Sequence, residues 1–101
     1  MKNNFKKLVC IQGLGYVGSA MCACVASAHD TGGNNYFDVV GVDLNTKKGR
    51  DRVEKINQGF FPFRTSDELL EKTLKNCHTQ KNLKATKNTN IFKEADIIIV
   101  D

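Results

Sequence analysis

The hydrophobic and polar positions divide the chain into alternating short apolar runs and longer mixed segments. Lys7-Leu8-Val9-Cys10-Ile11 is an apolar run rich in β-formers and ends near Gly13, which predicts a buried strand. From Tyr16 to Ala28 small and apolar residues dominate, Ala20, Ala23 and Ala26 among them, and predict a helix packed closely on a sheet. His29 to Tyr36 is dense in turn formers and predicts a loop. Phe37 to Asp43 is a second strand, apolar through its middle. Thr46 to Asn57 has helical spacing at Val53 and Ile56, and Gly59 to Thr65 carries Pro62 among phenylalanines, as an ordered loop would. Ser66 is placed to cap a helix over Asp67 to Asn76, with Leu69, Leu70 and Leu74 as its buried stripe. Leu83 to Thr86 predicts a short strand, Ile91 to Ala95 a helical turn, and Asp96 to Asp101 a third strong strand. Strands alternating with helices give an α/β class with a parallel sheet.

Composition narrows the function classes. With 101 residues, 41% of them hydrophobic, the chain has room for one compact unit and not for a second full domain. It has no apolar run of about 18 residues, so no membrane helix is expected. The net charge of +4 comes from lysines spread along the sequence, with local pairs at Lys6-Lys7 and Lys47-Lys48. A nucleic-acid binder would gather such residues with aromatics on one face, so a solvated basic surface is expected and no nucleic-acid partner.

Cysteines stand at 10, 22, 24 and 77. Cys22 and Cys24 are spaced C-x-C, unlike redox or zinc pairs, and on a helix they point to different faces. Reduced, cytosolic thiols acting as small apolar residues are expected, with no metal site and a cytoplasmic location. His29 and His78 lack a ligand cluster and are expected at the surface. Lysines, an apolar stretch and Ala26-Ser27-Ala28 imitate a signal peptide, but Gln12 and three glycines interrupt the run.

Those glycines have a more specific reading. Gly13-Leu14-Gly15-Tyr16-Val17-Gly18 fits G-x-G-x-x-G, and it follows a predicted strand and opens a predicted helix. Gly13 would allow the tight turn, Gly15 would let a pyrophosphate approach the backbone, and Gly18 would let the helix pack on its neighbouring strand. Backbone N–H groups from Gly15 to Val17 would then face phosphates at the positive end of the helix. Asp43, closing the second strand, lies a few positions farther on than the roughly 20 expected for a ribose-binding acid. The turn-rich stretch at 29–36 accounts for the extra length. A carboxylate there accepts bonds from ribose hydroxyls and repels a 2′-phosphate, which favours NAD over NADP. Lys47, Lys48 and Arg50 keep NADP open, since a nearby cation could accept its phosphate.

At this point the residues resemble the nucleotide-sugar dehydrogenase family typified by UDP-glucose 6-dehydrogenase. The run at 13–18, Val40-Gly41-Val42-Asp43, Ile56-Asn57-x-Gly59 followed by Pro62, Leu83-x-Ala85-Thr86 and Glu94-Ala95-Asp96-Ile97-Ile98 all resemble family segments, in order. The resemblance implies a Rossmann-like parallel sheet flanked by helices and incomplete. Residues 1–101 would be a partial N-terminal NAD-binding domain, and the catalytic and UDP-sugar-binding regions would lie outside it. It also implies a lysine after the ribose-binding acid, for which Lys48 is the nearest candidate. The whole enzyme would oxidise the C6 alcohol of a UDP-sugar to a carboxylate with NAD⁺, through a cysteine nucleophile. None of the four cysteines here stands in that motif, so no catalytic residue is assigned. Where the family carries a substrate-side glutamate, this chain has Thr65.

Two other readings stand beside this one. Other NAD-linked families, such as 3-hydroxyacid dehydrogenases, share the fingerprint, although the I-N-x-G-x-x-P and A-D-I-I segments weigh against them. A non-catalytic nucleotide-binding or interaction module is the other, since Ile97–Val100 would present an edge that invites pairing with a second copy.

Overall fold

A computed structural model describes residues 6–101. Its strands are β1 (Lys7–Gln12), β2 (Phe37–Val42), β3 (Leu83–Thr86) and β4 (Ile97–Val100). The helices are α1 (Tyr16–Ser27), α2 (Lys47–Asn57) and α3 (Glu68–Gln80), and a 3₁₀ turn covers Thr89–Glu94. All strands run parallel in the order β3-β2-β1-β4, with Val9 opposite Val39, Cys10 opposite Ile98 and Val40 opposite Lys84.

That order decides which face each helix covers. Successive crossovers from β1 to β2 to β3 move in one direction, and right-handed connections put α1, α2 and α3 on the same face. There Val9, Ile11, Val39, Leu83 and Ala85 of the sheet meet Cys22, Ala23 and Ala26 of α1, Ile56 of α2, and Leu70, Leu74 and Cys77 of α3. The chain then reverses to reach β4 beside β1, so its last connection falls on the opposite face. The 3₁₀ turn lays Ile91, Phe92 and Ala95 over Leu8, Cys10, Val40 and Val42 there.

Several local expectations are corrected. Leu69 is 73% exposed, and the buried stripe of α3 is Leu70, Leu74 and Cys77, a cleaner i, i+4, i+7 line. Asp67, not Ser66, caps α3, its carboxylate accepting from the Leu70 N–H at 3.0 Å. The helix runs on to Gln80 and ends on left-handed Lys81 (φ 64°). His78 is half-buried, not a plain surface residue: a Cβ on Gly59 would sit 2.9 Å from its ring.

The Ile56-Asn57-x-Gly59 segment has a structural explanation. Ile56 is fully buried, while the Asn57 side chain donates to the Ala85 carbonyl (2.9 Å) and accepts from its N–H (2.8 Å). Asn57 thus pairs with the outer edge of β3 as one residue of a further strand would. Buried Asn82 likewise bonds to backbone. Its Nδ2 donates to the carbonyls of Ala26 and Phe37, joining the end of α1 to the start of β2.

All four cysteines are free thiols; Cys24 is exposed while Cys10, Cys22 and Cys77 are buried. Burial raises all three buried thiols above the ordinary 9.0, Cys22 to about 12. A raised folded pKa means the folded chain holds protons that the unfolded chain releases. The stabilisation is therefore complete below pH 9.0 and lost as pH rises toward about 12. Iodoacetamide at neutral pH should label Cys24 alone, and the other three only after denaturation. Rapid labelling of Cys22 in the folded chain, read by mass spectrometry, would contradict this packing.

Candidate dinucleotide site

The site is built from the carboxyl ends of β1 and β2. After β1 the chain turns on Gly13, whose φ of 98° suits glycine and whose N–H donates to the Val42 carbonyl at 2.8 Å. Leu14 then drops its side chain into the core over Gly41, where a Cβ would come within 2.6 Å of it. Its backbone N–H donates to Asp43 Oδ2 at 3.0 Å, so fingerprint and acid are joined directly. Asp43 stands one residue past β2, and its Oδ1 accepts from the Leu44 N–H at 2.7 Å. Two backbone donors thus orient the carboxylate.

Gly15 occupies the N-cap of α1, where no side chain caps the helix and no acidic residue stands in the first turn. By contrast, Thr46 caps α2 and Asp67 caps α3. The leading N–H groups of a helix have no partner within it, so the start of α1 offers donors and positive potential to the outside. A Cβ on Gly15 would meet nothing within 4 Å, which leaves that approach open. Gly18 differs: a Cβ there would lie 1.8 Å from the Gly13 carbonyl oxygen and 3.0 Å from Asp101 Oδ2, so the bare glycine lets α1 close onto the residues that follow β1 and β4.

Tyr16 and Val17 are exposed on the first turn of α1. The Tyr16 ring meets Phe61 edge-on at 5.1 Å and Phe63 at 5.9 Å, and its hydroxyl hydrogen-bonds the Thr65 hydroxyl at 2.7 Å. The Pro62 loop is therefore fastened to the glycine turn, and Thr65 has a partner of its own in the position where a glutamate was expected.

Lys48 is exposed in the first turn of α2, and Arg50 is folded onto Asn45. The cation beside the acid is Arg52, with Nη1 3.7 Å from Asp43 Oδ2 and its guanidinium carbon 5.0 Å from the Phe63 ring centre. Sequence reading passed over Arg52. The signal available was its place in the helix that follows the acid, but only the rotation of α2 shows which of its basic residues turns back toward the sheet.

A cleft of about 270 Å³ is bordered by Gly13, Val42, Asp43, Leu44, Phe92 and Asp101. It lies at the carboxyl ends of the strands, where the sheet order reverses about β1, the usual place for ligands in open α/β sheets. A larger depression of about 440 Å³, near Ser27, His29 and Cys77, lies at the far end of α1, away from the backbone donors and Asp43. Among the described residues no group of three or more His, Cys, Asp or Glu could hold a metal ion, and no helix is long and apolar enough to cross a membrane.

Comparison with known proteins agrees with this geometry. Residues 7–101 match the model of the UDP-glucose/GDP-mannose dehydrogenase family, NAD binding domain. The chain is 31% identical over 99 residues to UDP-N-acetyl-D-mannosamine dehydrogenase of Methanocaldococcus jannaschii, covering 98% of this chain and 19% of that protein. The crystal structure of NDP-N-acetyl-D-galactosaminuronic acid dehydrogenase from Methanosarcina mazei shares the fold with a TM-score of 0.82 at 22% identity, over 96% of this chain and 19% of that one. GDP-mannose dehydrogenase from Pseudomonas aeruginosa superposes with a TM-score of 0.71 at 25% identity, over 92% and 19%. The chain thus spans about a fifth of the length of these relatives. With the family model covering the whole sheet and the site at its strand ends, the chain belongs to the UDP-glucose/GDP-mannose dehydrogenase family, and residues 7–101 are of its NAD-binding domain.

Proposed function

We propose that this chain holds the adenosine and pyrophosphate half of NAD for an enzyme that oxidises the C6 alcohol of a nucleotide sugar, of UDP-glucose type, to a carboxylate. In this reading residues 1–101 are a partial domain, and the residues that bind and oxidise the sugar belong to other parts of the enzyme. The supporting observation is the juxtaposition of the open, uncapped start of α1 with the Asp43 carboxylate that the Leu14 N–H holds at 3.0 Å.

The roles divide by chemistry. Backbone N–H groups of Gly15, Tyr16 and Val17 hold the pyrophosphate, which approaches over the missing Cβ of Gly15. Gly13, Leu14 and Gly18 fix the turn that aims those groups. Asp43 accepts hydrogen bonds from the ribose hydroxyls, since each carboxylate oxygen keeps acceptor capacity after its backbone bond. Lys48 supplies positive potential at the rim of the site. Bound NAD⁺ would bring the hydride-accepting ring, which the rest of the enzyme directs at the sugar. The relatives' names span UDP and GDP sugars, and Thr65, already bonded to Tyr16, gives this chain a different substrate-side loop from a glutamate-bearing one.

Calorimetric titration of the folded chain with NAD⁺, and in parallel with UDP-glucose, should give heat for NAD⁺ and none for the sugar nucleotide. A folded chain that binds neither would overturn this assignment. It would favour a pairing module, for which the supporting observation is the edge strand β4, where Ile97, Ile98 and Val100 are exposed.

A further inference from the structure

A phosphate held by the first turn of α1 needs donors that are both free and still. A capping side chain would hold the turn but would occupy a donor, as Thr46 Oγ1 occupies the Gly49 N–H at 3.1 Å in α2. We propose that Tyr16 is a positioning residue for the pyrophosphate: its side chain braces the first turn of α1 from outside, against the segment from Phe61 to Thr65, and leaves the N–H groups open. The inference rests on the assignment of the pyrophosphate to this turn and concerns what keeps the turn in its binding conformation.

Three observations carry it. First, α1 lacks a cap. Among the described residues, Thr46, Asp67 and Asn88 each accept an N–H at the start of the other helical segments, whereas Gly15 has no side chain to do so. Second, the Tyr16 ring rests on a base fixed in the core. Phe61 is buried in the same cluster as Ile56 and Leu70, and it meets the Tyr16 ring edge-on at 5.1 Å, an arrangement that aromatic pairs favour. Phe63 closes the triangle, 5.9 Å from Tyr16 and 6.2 Å from Phe61. Third, the hydroxyl extends the brace. Tyr16 Oη lies 2.7 Å from Thr65 Oγ1, which accepts from the Asp67 N–H at 3.1 Å, and the Asp67 carboxylate caps α3 through the Leu70 N–H. The uncapped turn of α1 is thereby tied to the capped start of α3.

Tyr16 thus joins two tasks in one residue. Its backbone N–H is one of the donors offered to the phosphate, and its side chain fixes where that donor points. An anion on the first turn and the brace around it stabilise the same conformation, so each strengthens the other by the same factor. Dinucleotide binding therefore tightens the segment from Phe61 to Thr65 without requiring that any atom of it touch the ligand. Arg64, exposed beside Thr65, makes that tightening measurable, because trypsin cuts a segment only as it opens.

The experiment is calorimetric titration with NAD⁺ of the chain and of Tyr16→Phe, Thr65→Val and Thr65→Ser, each first checked for folding by thermal melting. The rate of tryptic cleavage after Arg64 is followed by mass spectrometry with and without saturating NAD⁺. Tyr16→Phe keeps the ring and the backbone, and Thr65→Val keeps the shape of the side chain. Each should bind NAD⁺ about three- to ten-fold more weakly, the worth of one hydrogen bond. Thr65→Ser retains the hydroxyl and should bind as the parent does. NAD⁺ should slow cleavage after Arg64 several-fold in the parent and less in Tyr16→Phe. Parent-like affinity in both Tyr16→Phe and Thr65→Val would overturn the proposal even if both melted early, since Tyr16 would then stabilise the fold without positioning the donors. Loss of affinity in Thr65→Ser equal to that in Thr65→Val would overturn it too, as would a parent that binds NAD⁺ without any slowing of cleavage. A parent that binds no NAD⁺ would overturn the assignment of the site and this proposal with it, which differs from a parent that binds NAD⁺ and is indifferent to these hydroxyls.

Discussion

Gly18→Ala should lower the thermal midpoint of the chain by roughly 12–24 °C. The added Cβ would lie 1.8 Å from the Gly13 carbonyl oxygen and 2.9 Å from its carbon, with Asp101 Oδ2 at 3.0 Å on another side. The obstacle is backbone, and it is fastened: Gly13 sits at a φ of 98° and donates its N–H to Val42 at 2.8 Å. Relief requires α1 to move off the sheet, at the expense of contacts made by Cys22, Ala23 and Ala26 in the core. Overpacking of this kind costs about 3 kcal/mol or more, and each kcal/mol is worth roughly 4–8 °C in a domain of this size. Gly49 supplies a matched test, because its Cβ would lie 1.9 Å from the Leu44 carbonyl oxygen in the turn after β2. Both variants should melt early in a calorimetric scan. If Gly18→Ala melts within about 5 °C of the parent, the turn is not closed by this contact.

The matched behaviour of Gly18 and Gly49 shows what the sequence could and could not convey. G-x-G-x-x-G is legible because a known ligand chemistry gives each glycine a role. The second turn repeats the steric solution, a carbonyl pressed on the helix that follows it, with one glycine and no fingerprint. Strand and helix order, the parallel sheet and the pairing of the glycine turn with Asp43 were legible because they follow from periodicity and from local residue chemistry. The rotation of the helices was not. Leu69 and Leu70 are equally apolar, and only the position of Cys77 beneath α1 decides that Leu70 faces inward while Leu69 faces solvent. The same ambiguity hid Arg52 among Lys47, Lys48, Arg50 and Lys55, since which of them meets Asp43 depends on how α2 is turned. Tyr16 is far from Phe63 and Thr65 in the chain, and their meeting is a product of tertiary packing. Asn57 read as part of a family-like segment, but its bonds to both backbone groups of Ala85 give the physical reason for an amide there.

Gly15→Val, by contrast, should leave a folded chain that no longer binds NAD⁺. Gly15 has φ −66° and ψ −172°, a backbone conformation open to any L-residue, and its Cβ position has no neighbour within 4 Å. Valine is a poorer N-cap than glycine, which costs about 1 kcal/mol and a few degrees of midpoint. Offsetting this, a side chain restricts the unfolded chain at that position. The functional effect is of another order. The branched side chain would stand over the uncapped N–H groups at the start of α1, and a phosphate could no longer reach hydrogen-bond distance of them. Affinity for NAD⁺ should fall by on the order of a hundredfold or more, equivalent to losing two charge-assisted hydrogen bonds. The measurement is a titration paired with a melting curve on the same sample. A melting point near that of the parent with no heat of binding is the expected result, and it separates Gly15 from Gly18, whose replacement removes binding by disrupting the fold. Unchanged affinity in Gly15→Val would mean that the pyrophosphate does not lie over this turn, and the assignment of the site to the start of α1 would fall with it.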